Sequence, residues 1–180
     1  MIALNYLDNL HIRKDVEPLF VSAFPIDERP PADIYFESFK NHTKNTLYGF
    51  YEDDLFVGFA SVVLYKDICY IFFLAIQDEL RGQGYGSKIL SMIKEMYQND
   101  VILLCYEEVD KKYKDYENRC KRAGFYHKNG FIDNPLKTNE FGVIFQTAYY
   151  GNRPITFEEY QSIFRIGFGD WAVKYLKEVK

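Results

Sequence analysis

The segment Arg81-Gly82-Gln83-Gly84-Tyr85-Gly86-Ser87 places glycines at alternate positions behind a cation, a combination suited to holding an anion. Glycine takes up φ > 0 without a Cβ clash, so backbone N–H groups can turn toward a ligand and approach it closely. A tight turn alone would also call for such glycines. What adds weight is where they lie, between a strand-like run and a helix-like one. The first amides of a helix have no intrahelical acceptors and its dipole favours negative charge there, so a pyrophosphate fits. Two common phosphate loops are excluded by spacing. The glycines do not fall as G-x-G-x-x-G, and Gly86 is followed by Ser87 rather than by Lys and then Ser or Thr.

The flanking elements are legible from periodicity. Ile68-Cys69-Tyr70-Ile71-Phe72-Phe73-Leu74-Ala75-Ile76 is rich in β-branched and aromatic residues and too short to span a membrane, so it reads as a buried strand. Beyond the loop, Tyr85, Ile89, Met92, Ile93 and Met96 recur at helical spacing, with Ser87, Lys88, Lys94 and Glu95 on the wet face.

In this setting Arg81, Gly84 and Gly86 resemble the R/Q-x-x-G-x-G/A motif of the GNAT superfamily of N-acetyltransferases. A second stretch, Phe125-Tyr126-His127-Lys128-Asn129-Gly130-Phe131, resembles the F-Y-x-K-x-G-F found in that family where the fourth helix runs out into a strand. An earlier Gly-Phe pair, Gly124-Phe125, would set Cys120 at the tyrosine position, but that register preserves fewer of the motif residues. The resemblance covers roughly residues 45 to 150. Two structural readings accompany it, an interior tyrosine at a helix end for Tyr126 and a left-handed C-cap for Gly130.

The resemblance implies an acyl-CoA N-acyltransferase fold of the mixed α/β class, with a mostly antiparallel central sheet splayed between its fourth and fifth strands and flanked by helices. It implies acetyl-CoA as cosubstrate, with backbone near Leu74 and Ile76 pairing to the pantetheine arm. Amides of Gly82, Gln83, Gly84, Tyr85, Gly86 and Ser87 would cradle the pyrophosphate, with Arg81 adding charge. A primary amine of a small molecule or protein would attack the thioester directly, through a tetrahedral intermediate whose collapse expels a thiolate. Tyr126 would then be the acid: a phenol with pKa near 10 stays protonated at neutral pH and can serve a thiolate of pKa near 8.5. The amine, of pKa about 10.4, must first lose a proton. Strand alternation sends Glu107 and Glu108 to opposite faces, so one of them could face the acceptor as base. Glu28, in the loop between the first two helices, is a further candidate beside the acceptor. A catalytically silent acyl-CoA-binding or regulatory module of the same fold is the alternative.

These residues need a scaffold. Residues 2 to 6 read as a strand, His11 to Phe24 and Ala32 to Lys40 as helices, and Leu47 to Glu52 with Leu55 to Tyr65 as a hairpin turning at Asp53-Asp54. Val101 to Tyr106 reads as a buried strand, and Tyr113, Tyr116, Cys120 and Ala123 mark one face of a helix. Phe131 and the segment Phe141 to Tyr149 supply closing strands. A capping box, Thr156 with Glu159, starts another helix, which Gly167 and Gly169 break, and an amphipathic turn set follows from Asp170. The expected organisation is a single domain over 1–180, with a core over about 1–150 and a helical extension over about 151–180. That tail would pack on its own sheet, the weaker alternative being a homodimer contact.

Composition excludes several classes. With 180 residues and 48% hydrophobic content, one domain with a substantial core is expected. A net charge of −4 argues against nucleic acid and anionic membrane as partners and favours cationic acceptors. Cys69, Cys105 and Cys120 form no C-x-x-C pair, and His11, His42 and His127 are scattered, so no metal site is expected. The N-terminus lacks the basic and apolar regions of a leader, and a cytoplasmic protein is the reading.

Overall fold

The computed structural model describes residues 1–26, 29–41 and 44–179. Its residues gather into two units, Met1–Val63 with Ile71–Glu95 and Leu64–Tyr70 with Met96–Lys180.

In the first unit, β1 (Ile2–Asn5) precedes two helices, α1 (Arg13–Ala23) and α2 (Ala32–Asn41), and then β2 (Asn45–Glu52) and β3 (Leu55–Tyr65). β1 pairs antiparallel with β2, and β2 with β3, with a bulge at Phe50/Tyr51. The tight turn between β2 and β3 puts Asp53 at φ 52, a conformation that Asp tolerates better than most residues. Aromatic content goes into the helix–sheet seam. Phe20 of α1 stacks on Tyr35 of α2 with ring centroids 4.1 Å apart, and meets Phe73 edge-on at 5.3 Å. Both Phe20 and Phe36 are fully buried, and each such ring stabilises the fold by about 1.5–3 kcal/mol. The same unit takes in Ile71–Ile76, the latter part of β4 (Ile68–Ile76), and α3 (Tyr85–Met96). Phe73 and Ala75 point into the aromatic core while Phe72, Leu74 and Ile76 are only half-buried. Gly58 of β3 is obligatory beside this strand, because a Cβ there would come within 2.3 Å of the Ala75 carbonyl oxygen.

The second unit is built on β5 (Val101–Glu107), α4 (Tyr116–Lys128), β6 (Ile132–Glu140), β7 (Val143–Tyr150), α5 (Phe157–Phe168) and β8 (Leu176–Val179). The start of β4 pairs parallel with β5 over Ile68–Tyr70 against Val101–Leu103, and the ladder ends there. β5 pairs antiparallel with β7, β7 with β6, and β6 with β8. Strand order is β1-β2-β3-β4-β5-β7-β6-β8, a mixed, mostly antiparallel sheet of the kind implied by the resemblance. The capping box is formed: Glu159 N donates to Thr156 Oγ1 at 3.3 Å, and Thr156 N to Glu159 Oε2 at 2.9 Å.

Four local expectations need correction. β6 is a full strand although its sequence contains Asn134-Pro135, because a register shift between Asp133 and Lys137 accommodates a residue with no N–H to give to the ladder. Phe141-Gly142 is the hairpin turn, with φ 52 and 96, rather than the start of a strand. Helix α5 continues through Gly167 and stops at Gly169, whose φ of 93 is the actual break, and the tail then runs through a 3₁₀ segment (Asp170–Tyr175) into strand β8. Tyr113 precedes α4 in the connecting turn, where the Arg119 guanidinium lies 3.9 Å from its ring centroid.

Candidate functional site

The glycine loop lies in the first unit. After Ile76 the chain makes a 3₁₀ turn (Asp78–Leu80) in which Leu80 N donates to Gln77 O at 2.9 Å. Gly82 and Gly84 then adopt φ of 76 and 87, and a Cβ built on either would have no neighbour within 4 Å. These two reverse the chain into α3; Gly86 is a residue of the helix's first turn. Lys88 N reaches back to Gly84 O at 3.1 Å, so the amides of Tyr85, Gly86 and Ser87 precede the first intrahelical bond. The result is an open array of donors at the positive end of a 12-residue helix. Gln83 braces the loop, its Nε2 donating to Glu79 O at 2.7 Å. Arg81 pairs with Asp78 (Nη2 to Oδ1, 2.7 Å) and donates through Nε to Ile76 O at 3.3 Å. Lys88 pairs with Glu52 at 3.2 Å and lies over the Tyr85 ring. The half-buried Leu74 and Ile76 lead into the loop on the same strand.

The Phe125–Phe131 motif lies in the second unit and closes helix α4. Gly130, at φ 80, donates to His127 O at 2.9 Å, and Phe131 N donates to Tyr126 O at 3.1 Å. That pair of bonds is a Schellman cap, with Tyr126 and the buried Phe131 as its accompanying apolar contact, ring centroids 6.1 Å apart. Gly124 instead lies inside α4, so the cap falls at the later Gly-Phe pair and Tyr126 is the tyrosine it presents. Tyr126 stacks on Tyr106 of β5 at 5.8 Å and 27°. Burial pushes its hydroxyl up to about 12, with the Arg122 guanidinium opposing the rise. No hydrogen bond from that hydroxyl is formed among the described residues, which leaves its proton free to be donated.

The carboxylates are brought into ion pairs. Glu107, on β5, pairs with Arg122 of α4. Glu108 accepts from Lys112 Nζ at 2.9 Å, Lys137 Nζ at 3.0 Å and the Tyr113 hydroxyl at 3.3 Å. The Lys112 bond, then the Lys137 bond, holds its carboxyl below the usual range, which makes it a weaker base than a solvated glutamate. These bonds tie the β5–α4 turn to β6. Glu28 and His42 lie outside the described residues.

Two clusters escaped the sequence reading. Tyr106 donates to Asp133 Oδ1 at 2.5 Å, and His127 Nε2 lies 2.8 Å from the same oxygen, tying the last turn of α4 to β5 and β6. Deeper in the unit, Glu140 accepts from Tyr160 (2.6 Å) and Thr138 (2.7 Å), Tyr160 meets Tyr70 at 3.2 Å, and Tyr70 meets Cys105 Sγ at 3.0 Å. Burial pushes both the Glu140 carboxyl and the Cys105 thiol up, so Cys105 is held as a neutral thiol and is a poor nucleophile. Period-2 alternation could have put Tyr106 on the face opposite Cys105 and Glu107. Nothing local in the sequence marks Asp133 or Glu140.

Among the described residues no group of three or more His, Cys, Asp or Glu could hold a metal ion, and no helix is long and apolar enough to cross a membrane.

The sheet with its short parallel β4–β5 ladder and the glycine turn into α3 define a mixed α/β domain. The family model described as "Acetyltransferase (GNAT) domain" matches residues 43–133, just over half of the sequence, and the chain belongs to the GNAT acetyltransferase family. A protein from Bacteroides thetaiotaomicron assigned to that family is 21% identical, with TM-score 0.78, covering 94% of this chain and 99% of its own. An aminoglycoside 6′-N-acetyltransferase solved with coenzyme A is 15% identical at TM-score 0.66, covering 86% and 100%. The ribosomal-protein-S18-alanine N-acetyltransferase of Escherichia coli is 12% identical at TM-score 0.59, covering 87% and 100%. At these identities the likeness is one of fold. No protein of curated function matches the sequence.

Proposed function

We propose that the protein is an acetyl-CoA-dependent N-acetyltransferase that moves the acetyl group onto a primary amine of a small molecule or protein. The observation that carries this reading is the loop, where two left-handed glycines with open space beside them turn the chain into a helix whose Tyr85, Gly86 and Ser87 amides precede the first intrahelical bond. A pyrophosphate is the ligand best matched to several converging N–H donors and a positive dipole end. The half-buried edge of β4 at Leu74 and Ile76 offers backbone groups for strand-like pairing with a pantetheine arm.

In this reading Tyr126 supports departure of the thiolate. A hydroxyl pushed up to about 12 stays protonated across the physiological range, and against a thiol pKa near 8.5 full proton transfer is uphill. Tyr126 therefore works chiefly as a hydrogen-bond donor to the developing charge. The amine arrives as a cation, favoured by the net charge of −4, and must shed its proton to Glu107, to Glu28 or to water. Glu108, held by two lysines, is a weaker base than a solvated glutamate.

The ion pairing of Glu107 and Glu108 favours a second reading, an acyl-CoA-binding module without turnover. One experiment separates the two. Free CoA is followed while acetyl-CoA is incubated with the protein and a panel of aminoglycosides, polyamines, amino acids and peptides with free N-terminal alanine. Acetylated product from any amine supports the transferase. A stabilising shift with acetyl-CoA, but no product from the whole panel, supports the silent module, and no shift at millimolar acetyl-CoA contradicts both.

A further inference from the structure

Both cations of the glycine loop are already engaged. Arg81 Nη2 lies 2.7 Å from Asp78 Oδ1, and its Nε donates to Ile76 O, the carbonyl at the end of the half-buried strand edge. Lys88 leans back along α3 over the Tyr85 ring and pairs with Glu52 at 3.2 Å. A ligand whose phosphates draw on these side chains meets two carboxylates that hold them first. Both pairs are solvent-facing, with side-chain exposures of 55% and 72% for Arg81 and Asp78 and 52% and 35% for Lys88 and Glu52. Such pairs are weak and exchange readily.

We propose that Asp78 and Glu52 are counter-anions that the phosphates of an acyl carrier displace from Arg81 and Lys88, and that these two carboxylates thereby set the loop's preference for phosphate-bearing over phosphate-free thioesters. This rests on the acetyl-CoA reading. Displacement from Asp78 frees the Arg81 guanidinium to swing off Ile76 O, so one movement supplies charge to the phosphates and uncovers a carbonyl for the pantetheine amide. Neither carboxylate is needed to touch the ligand; each acts by occupying a cation.

Removing either loop ion pair should therefore improve CoA binding. Calorimetric titration with CoA would compare the wild type with Asp78→Asn, Glu52→Gln, Arg81→Gln, the double variant R81Q/D78N, and Asp54→Asn as a control for an acidic residue in the adjacent turn. Asp78→Asn and Glu52→Gln should each tighten CoA roughly two- to fivefold at low salt, the range expected for exposed pairs, and the gain should fade in 0.5 M salt. S-acetylpantetheine, which carries no phosphate, should bind Asp78→Asn and Glu52→Gln as tightly as it binds the wild type. In the Arg81→Gln background, Asp78→Asn should gain nothing. If both variants weaken CoA binding, gain no more than Asp54→Asn, or keep the Asp78→Asn gain without Arg81, the inference is overturned while the acetyl-CoA reading stands. If the wild type itself does not bind CoA, that reading falls and the inference with it.

Discussion

The two motifs are both helix ends, and the protein treats them in opposite ways. At the N-terminus of α3 the chain leaves three amides without intrahelical acceptors and surrounds Gly82 and Gly84 with open space. At the C-terminus of α4 the carbonyls of Tyr126 and His127 are taken up by Phe131 and Gly130, and aromatic rings close over the turn. Unsatisfied backbone groups invite a ligand, whereas satisfied ones build a rigid mount for a side chain. In the proposed reading the first site acts through main chain, and the second through the Tyr126 hydroxyl that the mount carries.

That contrast can be broken most severely at the hydroxyl. Tyr126→Phe keeps the ring packing and should lower kcat by roughly 10- to 1,000-fold with acetyl-CoA affinity nearly unchanged, as steady-state kinetics would read. Cys120→Ala should leave kcat close to wild type. Reversal of those two results would move the acid away from the capped helix end.

At the open end the effect is on binding. Gly84→Val should weaken CoA by roughly 10- to 100-fold, because a branched side chain enters the space the phosphates need and strains a backbone at φ 87. Its built Cβ meets nothing within 4 Å, so the folded state should survive, with near-wild-type circular dichroism. At the closed end the effect is on stability instead. Gly130→Ala forces an L-residue to φ 80 and should cost about 1–2 kcal/mol, lowering Tm by a few degrees while leaving CoA affinity alone.

The smallest expected effect tests Glu108. Its folded pKa is lowered by Lys112 and Lys137, so its contribution to stability is present above the unfolded value near 4.3 and is lost as pH falls through the folded pKa. Glu108→Gln should cost about 1 kcal/mol at pH 7, and the gap to wild type should narrow below pH 4 in thermal melts. An equal gap at both ends of that range would mean that packing, not charge, makes the difference. If turnover also stays at the wild-type level in Glu108→Gln, it is a clip for the β5–α4 turn and not the base.

The open end was legible in sequence because glycine spacing dictates backbone conformation locally. Gly82 and Gly84 are the left-handed pair, and the run Ile68–Ile76 is the strand that precedes them. The closed end was half legible. Gly130 and Phe131 mark the cap within one turn, but the ring of Tyr106 and the carboxylate of Asp133 arrive from other strands, and only tertiary pairing brings them together. The closing strand expected at Phe131 is β6, and its full extent to Glu140, across Pro135, is set by pairing with β7 and β8 rather than by any local pattern. The lysines that disarm Glu108 come one from the following turn and one from β6, so sequence showed a free carboxylate where the fold makes an ion-pair hub.

The most direct test of the open-versus-closed account is a calorimetric titration of CoA into the wild type, Gly84→Val and Tyr126→Phe side by side. The account predicts saturable binding by the wild type, the same affinity within twofold for Tyr126→Phe, and a large loss for a folded Gly84→Val. Equal affinity in the wild type and a folded Gly84→Val would contradict it, because the amides at the start of α3 would then not be where the ligand's phosphates lie.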